Sequence, residues 1–135
     1  MRAHFTLLAK VASIGLTEAQ AIKLYSAKKI STRFVPISNV DRAECSSESD
    51  GFIKIVYDTK TYKILGSTIM STAAGEMISE IAVAMKTNLK LDQLATVMHA
   101  YPTYSFALQV LAAEIYYEKL QKSKKLLNTL KKIGL

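Results

Sequence analysis

Apolar and polar positions change their period along the chain, and those changes divide it into strands and helices. Over residues 52–57, Ile53, Ile55 and Tyr57 fall on one side and Phe52, Lys54 and Val56 on the other, the alternation of a strand. Asp58-Thr59-Lys60-Thr61 reads as a turn and 62–70 as the returning strand, with Gly66 inside it, so this region predicts a β-hairpin. The period then lengthens. Ala74, Met77, Ile78, Ile81, Ala82 and Met85 recur at three-four spacing, which predicts a helix ending near Asn88. Glu76 and Glu80 lie off its apolar face and read as a solvated acidic face rather than a catalytic carboxylate couple. Residues 91–98 predict a shorter helix, and a long one is expected from Thr103 toward the C-terminus.

Upstream, 11–16 is a short apolar run broken by Gly15, a candidate buried strand. Thr17 with Gln20 three residues on has capping-box spacing and should open a helix over 19–27. Residues 30–37 are β-rich, with Pro36 marking an edge position or the strand's end. The polar, serine-rich stretch 41–51 predicts a loop. The sum is an α+β chain: a small antiparallel β-sheet with helices packed on it.

A chain of 135 residues, half of them hydrophobic, is long enough for one packed core and too apolar to be disordered. Its single cysteine, Cys45, excludes an intramolecular disulfide framework and a four-thiolate metal site. Residues 93–113 carry no charged side chain, but Pro102 and six scattered polar residues interrupt them, so they read as two buried elements rather than a spanning helix. No secretion-type leader is seen, and the expected compartment is a reducing cytoplasm.

The net charge of +7 is concentrated at one end. Residues 1–118 hold 12 basic and 11 acidic side chains; beyond them come Lys119, Lys122, Lys124, Lys125, Lys131 and Lys132 without one acid. Leu126, Leu130 and Ile133 form an apolar stripe with Lys124, Lys125, Lys131 and Lys132 opposite, so 119–135 is expected to be a basic amphipathic helical tail. A helix packed on the body or on a dimer partner is the favoured reading. The alternative is a peripheral membrane-binding protein that uses 122–135 on an anionic surface. Nucleic acid is not expected, because the tail has neither arginine nor interleaved aromatics.

Candidate chemistry is sparse. His4 and His99 stand 95 positions apart, without acids or cysteine at metal-ligand spacing, so no metal site is expected and His99 reads as a hydrogen-bonded structural histidine. Cys45 lies among Glu44, Glu48 and Asp50, which disfavour a thiolate. The glycines at 15, 51, 66, 75 and 134 are isolated, so no phosphate cradle can be built from them. By itself the chain is expected to be catalytically silent.

Several separated segments are more specific together than apart. They are Val11-Ala-Ser-Ile-Gly-Leu-Thr-Glu-Ala-Gln-Ala21, Gly51-Phe-Ile-Lys-Ile-Val56 with Ile64-Leu-Gly-Ser67, Ala74-Gly-Glu-Met-Ile78, and His99-Ala-Tyr-Pro-Thr-Tyr-Ser105. In this order and spacing, across residues 11–115, they resemble the C-terminal dimerisation domain of the pyridine nucleotide-disulfide oxidoreductases. That family includes dihydrolipoamide dehydrogenase, glutathione reductase and mercuric reductase, and the Tyr-Pro-Thr version looks most like the mercuric reductase-like branch. On this resemblance the dimerisation domain occupies 1–118, with the tail at 119–135.

The resemblance implies a homodimer whose parent enzyme carries FAD, uses NADH or NADPH, and has further FAD and NAD domains as partners of this one. It implies that the segment before the long helix is given across the two-fold axis to the partner's flavin site, which makes Tyr101 and Pro102 the candidate cofactor-contacting residues. In dithiol-reducing members a histidine precedes that proline, and a glutamate four residues after the proline orients it. Here those positions are Tyr101 and Phe106. Both halves of the pair are missing together, as expected where a buried glutamate without its histidine would be an unpaired charge. No catalytic residue is therefore expected in this chain, and no cofactor for it in isolation. Pro102 resembles the family's cis-proline, and Thr103 should cap the long helix with half a capping box. The usual Asp-Pro lead-in is replaced by Leu7-Leu8-Ala9-Lys10.

Overall fold

The computed structural model describes residues 10–133; His4 and the altered lead-in at 7–9 lie outside the described residues, as does the very end of the tail. The chain runs β1 (Lys10–Gly15), α1 (Glu18–Tyr25), a 3-10 turn, β2 (Ile30–Pro36), a second 3-10 turn, α2 (Asp41–Ser46), β3 (Phe52–Asp58), β4 (Ile64–Ser71), α3 (Ala74–Lys86), a 3-10 segment (Leu91–Thr96) and α4 (Phe106–Lys132). The four strands form one antiparallel sheet in the order β1-β4-β3-β2.

The hairpin β3–β4 is the centre of the sheet, with β1 and β2 at its edges. Ile53, Ile55 and Tyr57 are buried on the core face, with Ile64 and Ile69 beside them. The register shifts between Val56 and Tyr57, where Leu65 of β4 is the extra residue, while Val56 and Tyr57 are both buried, on opposite faces of the strand. The turn is tied by Asp58, whose Oδ1 accepts the backbone N–H groups of Lys60 (2.9 Å) and Thr61 (2.8 Å). Pro36 ends β2 at the sheet edge, where a missing N–H costs no ladder bond.

Helices α3 and α4 close the core face. Ala74, Met77, Ile81 and Ala84 of α3 meet Leu108, Leu111, Ala112 and Ile115 of α4 in one cluster with the sheet. On the other side α1 approaches β3, where Glu18 pairs with Lys54 at 2.6 Å. The predicted Thr17 capping box is formed in full: Gln20 N–H donates to Thr17 Oγ1 and Thr17 N–H to Gln20 Oε1.

Three expectations are corrected. The stretch 41–51 is not all loop, since α2 occupies Asp41–Ser46 and ends on left-handed Ser47. It is amphipathic on a small scale: Ile37, Val40 and Ala43, three apart, are all buried. Of 91–98, Leu91–Thr96 form a helix, and it is a 3-10 segment whose three-residue turn puts Leu91 and Leu94 together in the core. The long helix begins at Phe106 rather than Thr103, although Thr103 Oγ1 does accept the Phe106 N–H at 3.2 Å.

Helix α4 passes residue 118 without a break. Arg33 pairs with Glu118, and Lys119 reaches Asp92 at 2.5 Å while lying 5.0 Å over the Tyr62 ring. Beyond this clamp the helix leaves the body. Leu126, Leu127, Leu130 and Ile133 stay exposed, so the tail's apolar stripe is not packed on its own body. Among the described residues, no helix is long and apolar enough to cross a membrane.

Candidate functional site

The loop between the 3-10 segment and α4 carries the residues singled out from the sequence. Its Tyr101–Pro102 bond is cis, and both side chains are exposed. Tyr101 is 63% exposed, yet it is not free. Its hydroxyl donates to Asp41 Oδ2 at 2.8 Å, and its ring stands edge-on to Phe106 with centroids 5.2 Å apart. The position that would hold the orienting glutamate is thus filled by an aromatic partner.

Three residues on, Tyr104 donates its hydroxyl to Glu48 Oε2 at 3.1 Å, and the same oxygen accepts from Thr72 at 3.0 Å. Two carboxylates, Asp41 on α2 and Glu48 just beyond it, therefore hold two phenols of the cis-proline loop. Neither was singled out from the sequence. Tyr101 and Asp41 are 60 positions apart, and the 41–51 stretch gave no hint of which way its acids point.

A groove of about 430 Å³ opens beside the loop, between the end of β2, α2 and the first turns of α4. Phe34, Pro36, Tyr101, Phe106 and Val110 give it apolar walls, with Asp41, Arg42 and Glu114 at polar points. No proton acceptor stands at Phe106. The hydrogen bond to Asp41, and then the charge of that carboxylate, raise the Tyr101 phenol above its ordinary pKa of 10.0, so it is protonated at neutral pH. The arrangement can orient and contact; it cannot shuttle a proton near pH 7.

His99 supports the loop from behind and is the structural histidine expected. Its ring is almost buried, Nδ1–H donates to the Val97 carbonyl at 2.9 Å, and Nε2 meets Glu80 Oε1 at 2.5 Å. Glu80 is consequently not part of a solvated acidic face: it is half-buried and committed to His99, whereas Glu76 is exposed. Burial opposes protonation of His99, but the bonds to Glu80 and Val97 outweigh it and raise the pKa above 6.5. Because the folded value lies above the unfolded one, this pair's stabilisation is complete below about pH 6.5 and is lost as pH rises through the raised value. Glu80→Gln should lower stability by about 1.5 kcal/mol at pH 6, the scale of a charge-assisted hydrogen bond, and by less at pH 8. Thermal unfolding of both proteins across that range checks this; an equal loss at both ends would contradict it.

Cys45 is exposed and free. Among the described residues no three His, Cys, Asp or Glu side chains are grouped so as to hold a metal ion.

The sequence profile of the pyridine nucleotide-disulphide oxidoreductase dimerisation domain matches residues 3–112. Dihydrolipoyl dehydrogenase 3 of Pseudomonas aeruginosa is 37% identical over 112 residues, covering 83% of this chain and 24% of that protein. Mercuric reductase of Streptomyces lividans is 34% identical, with coverages of 83% and 23%. Among solved structures, the HOCl-induced flavoprotein disulfide reductase RclA of Escherichia coli superposes with a TM-score of 0.70 at 26% identity, over 76% of this chain and 23% of its own. The chain spans about a quarter of the length of the curated relatives it matches. The four-stranded antiparallel sheet and the matched profile agree, and the chain belongs to the pyridine nucleotide-disulphide oxidoreductase dimerisation domain family.

Proposed function

We propose that this chain is the homodimerisation module of an FAD-dependent, NAD(P)H-using disulfide-type oxidoreductase of the cytoplasm, with 1–118 as the module and 119–135 as its basic tail. The single observation that supports the reading most is that the matched family profile goes with large apolar side chains left exposed on the elements that would meet a second copy. Val83 on α3, Met98 and Tyr101 on the loop, and Val110 and Tyr117 on α4 are all exposed, Met98 at 94%. Large apolar side chains gathered on the same few elements mark an interaction surface more than a solvated one. A two-fold arrangement would use the same patch twice.

Within that dimer, the Tyr101-Pro102 segment would be one wall of the partner subunit's flavin site. The residues fit that limited part. An exposed phenol and proline beside an apolar-walled groove can flank a flat ring system, whereas no run of glycines offers a cradle for its phosphates. Bound FAD would supply the redox chemistry. This chain's own part is to present Tyr101, keep it protonated and shield one side from water. An open apolar stripe with lysines opposite fits a partner subunit as well as an anionic surface, so the tail adds nothing to the choice.

Charged substitutions in the proposed interface test the reading. Val83→Asp and Met98→Asp should each raise the dimer dissociation constant about tenfold or more, as for buried interface positions, while leaving the thermal midpoint of the monomer close to that of the parent chain. Sedimentation velocity across a dilution series reads this directly. Unchanged association in both variants would remove these two elements from the interface.

A further inference from the structure

Asp41 and Tyr101 come from elements that the sequence keeps far apart, yet the carboxylate meets the phenol at hydrogen-bond distance at the exposed tip of the cis-proline loop. The contact does not stand alone. Seven positions after Asp41, Glu48 takes the Tyr104 hydroxyl and ties it to Thr72. The segment running from α2 is therefore fastened to the loop at two points. The Tyr101 ring also stands edge-on to Phe106, the first residue of α4.

We infer that Asp41 is the positioning residue for Tyr101: the orienting carboxylate is delivered from α2 instead of from the first turn of α4. The geometry has a chemical consequence. With its proton committed to Asp41, the phenol offers its oxygen lone pairs outward, so the loop tip accepts a hydrogen bond and selects for an N–H or O–H group approaching it. The phenol itself offers an incoming anion no donor, and the nearest charge to its oxygen is that of Asp41. Identification of the approaching group with the partner subunit's site rests on the dimer reading; the Asp41–Tyr101 pairing does not.

The groups around this phenol are Asp41, Arg42 and Cys45 on α2 and Glu114 across the groove on α4. Their effects separate by substitution. In the full chain carrying tyrosine labelled with carbon-13 at Cζ, with Tyr101→Phe to assign the signal, the Tyr101 midpoint should lie above 10.0 and fall toward it in Asp41→Asn. Asp41→Ala should lower it as well, and Asp41→Glu should restore it at least in part. A change in folding alone would not move one tyrosine and be rescued by the longer acid. A Tyr101 midpoint that is the same in Asp41→Ala and the parent chain, with both folded by circular dichroism, would overturn the inference. Sedimentation of the same samples keeps the two readings apart. A monomer whose Tyr101 midpoint follows Asp41 removes the dimer and leaves the positioning role; a dimer whose midpoint ignores Asp41 does the reverse.

Discussion

Gly66→Ala should destabilise the chain by about 3 kcal/mol, at the upper end of what overpacking costs. Gly66 of β4 sits opposite Gly15 of β1, and the backbone crosses there as β1 leaves the sheet. A Cβ on Gly66 would lie 2.0 Å from the Leu16 carbonyl oxygen and 2.6 Å from the Leu16 nitrogen. These are main-chain atoms, so no side chain can turn aside. Nor can Leu16 retreat without losing its N–H bond to the Leu65 carbonyl at 2.9 Å. The damage should begin at the β1 edge. Amide exchange in β1 and at Leu16 should accelerate more than in the β3–β4 hairpin, alongside the fall in global stability. A variant with parental stability would mean that the strands do not approach each other this closely.

Leu108→Ala should have a similar effect by the opposite route, leaving a void instead of a clash. Leu108 is completely buried, two residues into α4, among the α3 and sheet residues of the core. Truncation of such a leucine costs between about 2 and 5 kcal/mol, the spread reflecting how far the surroundings collapse. The α3 neighbours are fixed by their own packing against the sheet, so we expect about 3 kcal/mol, or a fall of roughly 10 °C in the thermal midpoint for a chain of this size. Because Phe106 stands on the same first turn, the Tyr101–Phe106 contact should loosen too, and the Tyr101 ring signals should broaden. A loss below about 1 kcal/mol would place Leu108 at a surface.

The elements that could be read from sequence are those in which one face is buried and the other is not. The hairpin and α3 show their periods openly, since Ile53 and Ile55, or Met77 and Ile81, alternate with polar neighbours at the spacing of the structure they form. Helix α2 escaped because a six-residue polar helix buries only Ala43 of its own, and its other apolar contacts, Ile37 and Val40, precede it. The type of the helix after α3 is not legible, because Leu91 and Leu94 satisfy the spacing of an α-helix and of a 3-10 turn alike.

The candidate site was legible in part. Tyr101, Pro102 and Phe106 stand out because they interrupt or resemble a motif, and the cis bond and half-formed Thr103 cap are present as expected. Its carboxylates were not legible. Asp41, Glu48 and Glu80 are ordinary surface acids in sequence, and only the fold brings them to Tyr101, Tyr104 and His99.

Sedimentation equilibrium of the unmodified chain over about a hundredfold range of concentration, at low and high salt, tests the dimerisation reading most directly. A dimer held by the apolar surface of α3, the cis-proline loop and α4 should persist in high salt, since screening weakens charge contacts and not apolar burial. A chain that stays monomeric throughout the range at both salt concentrations would contradict the proposal that it is an autonomous homodimerisation module.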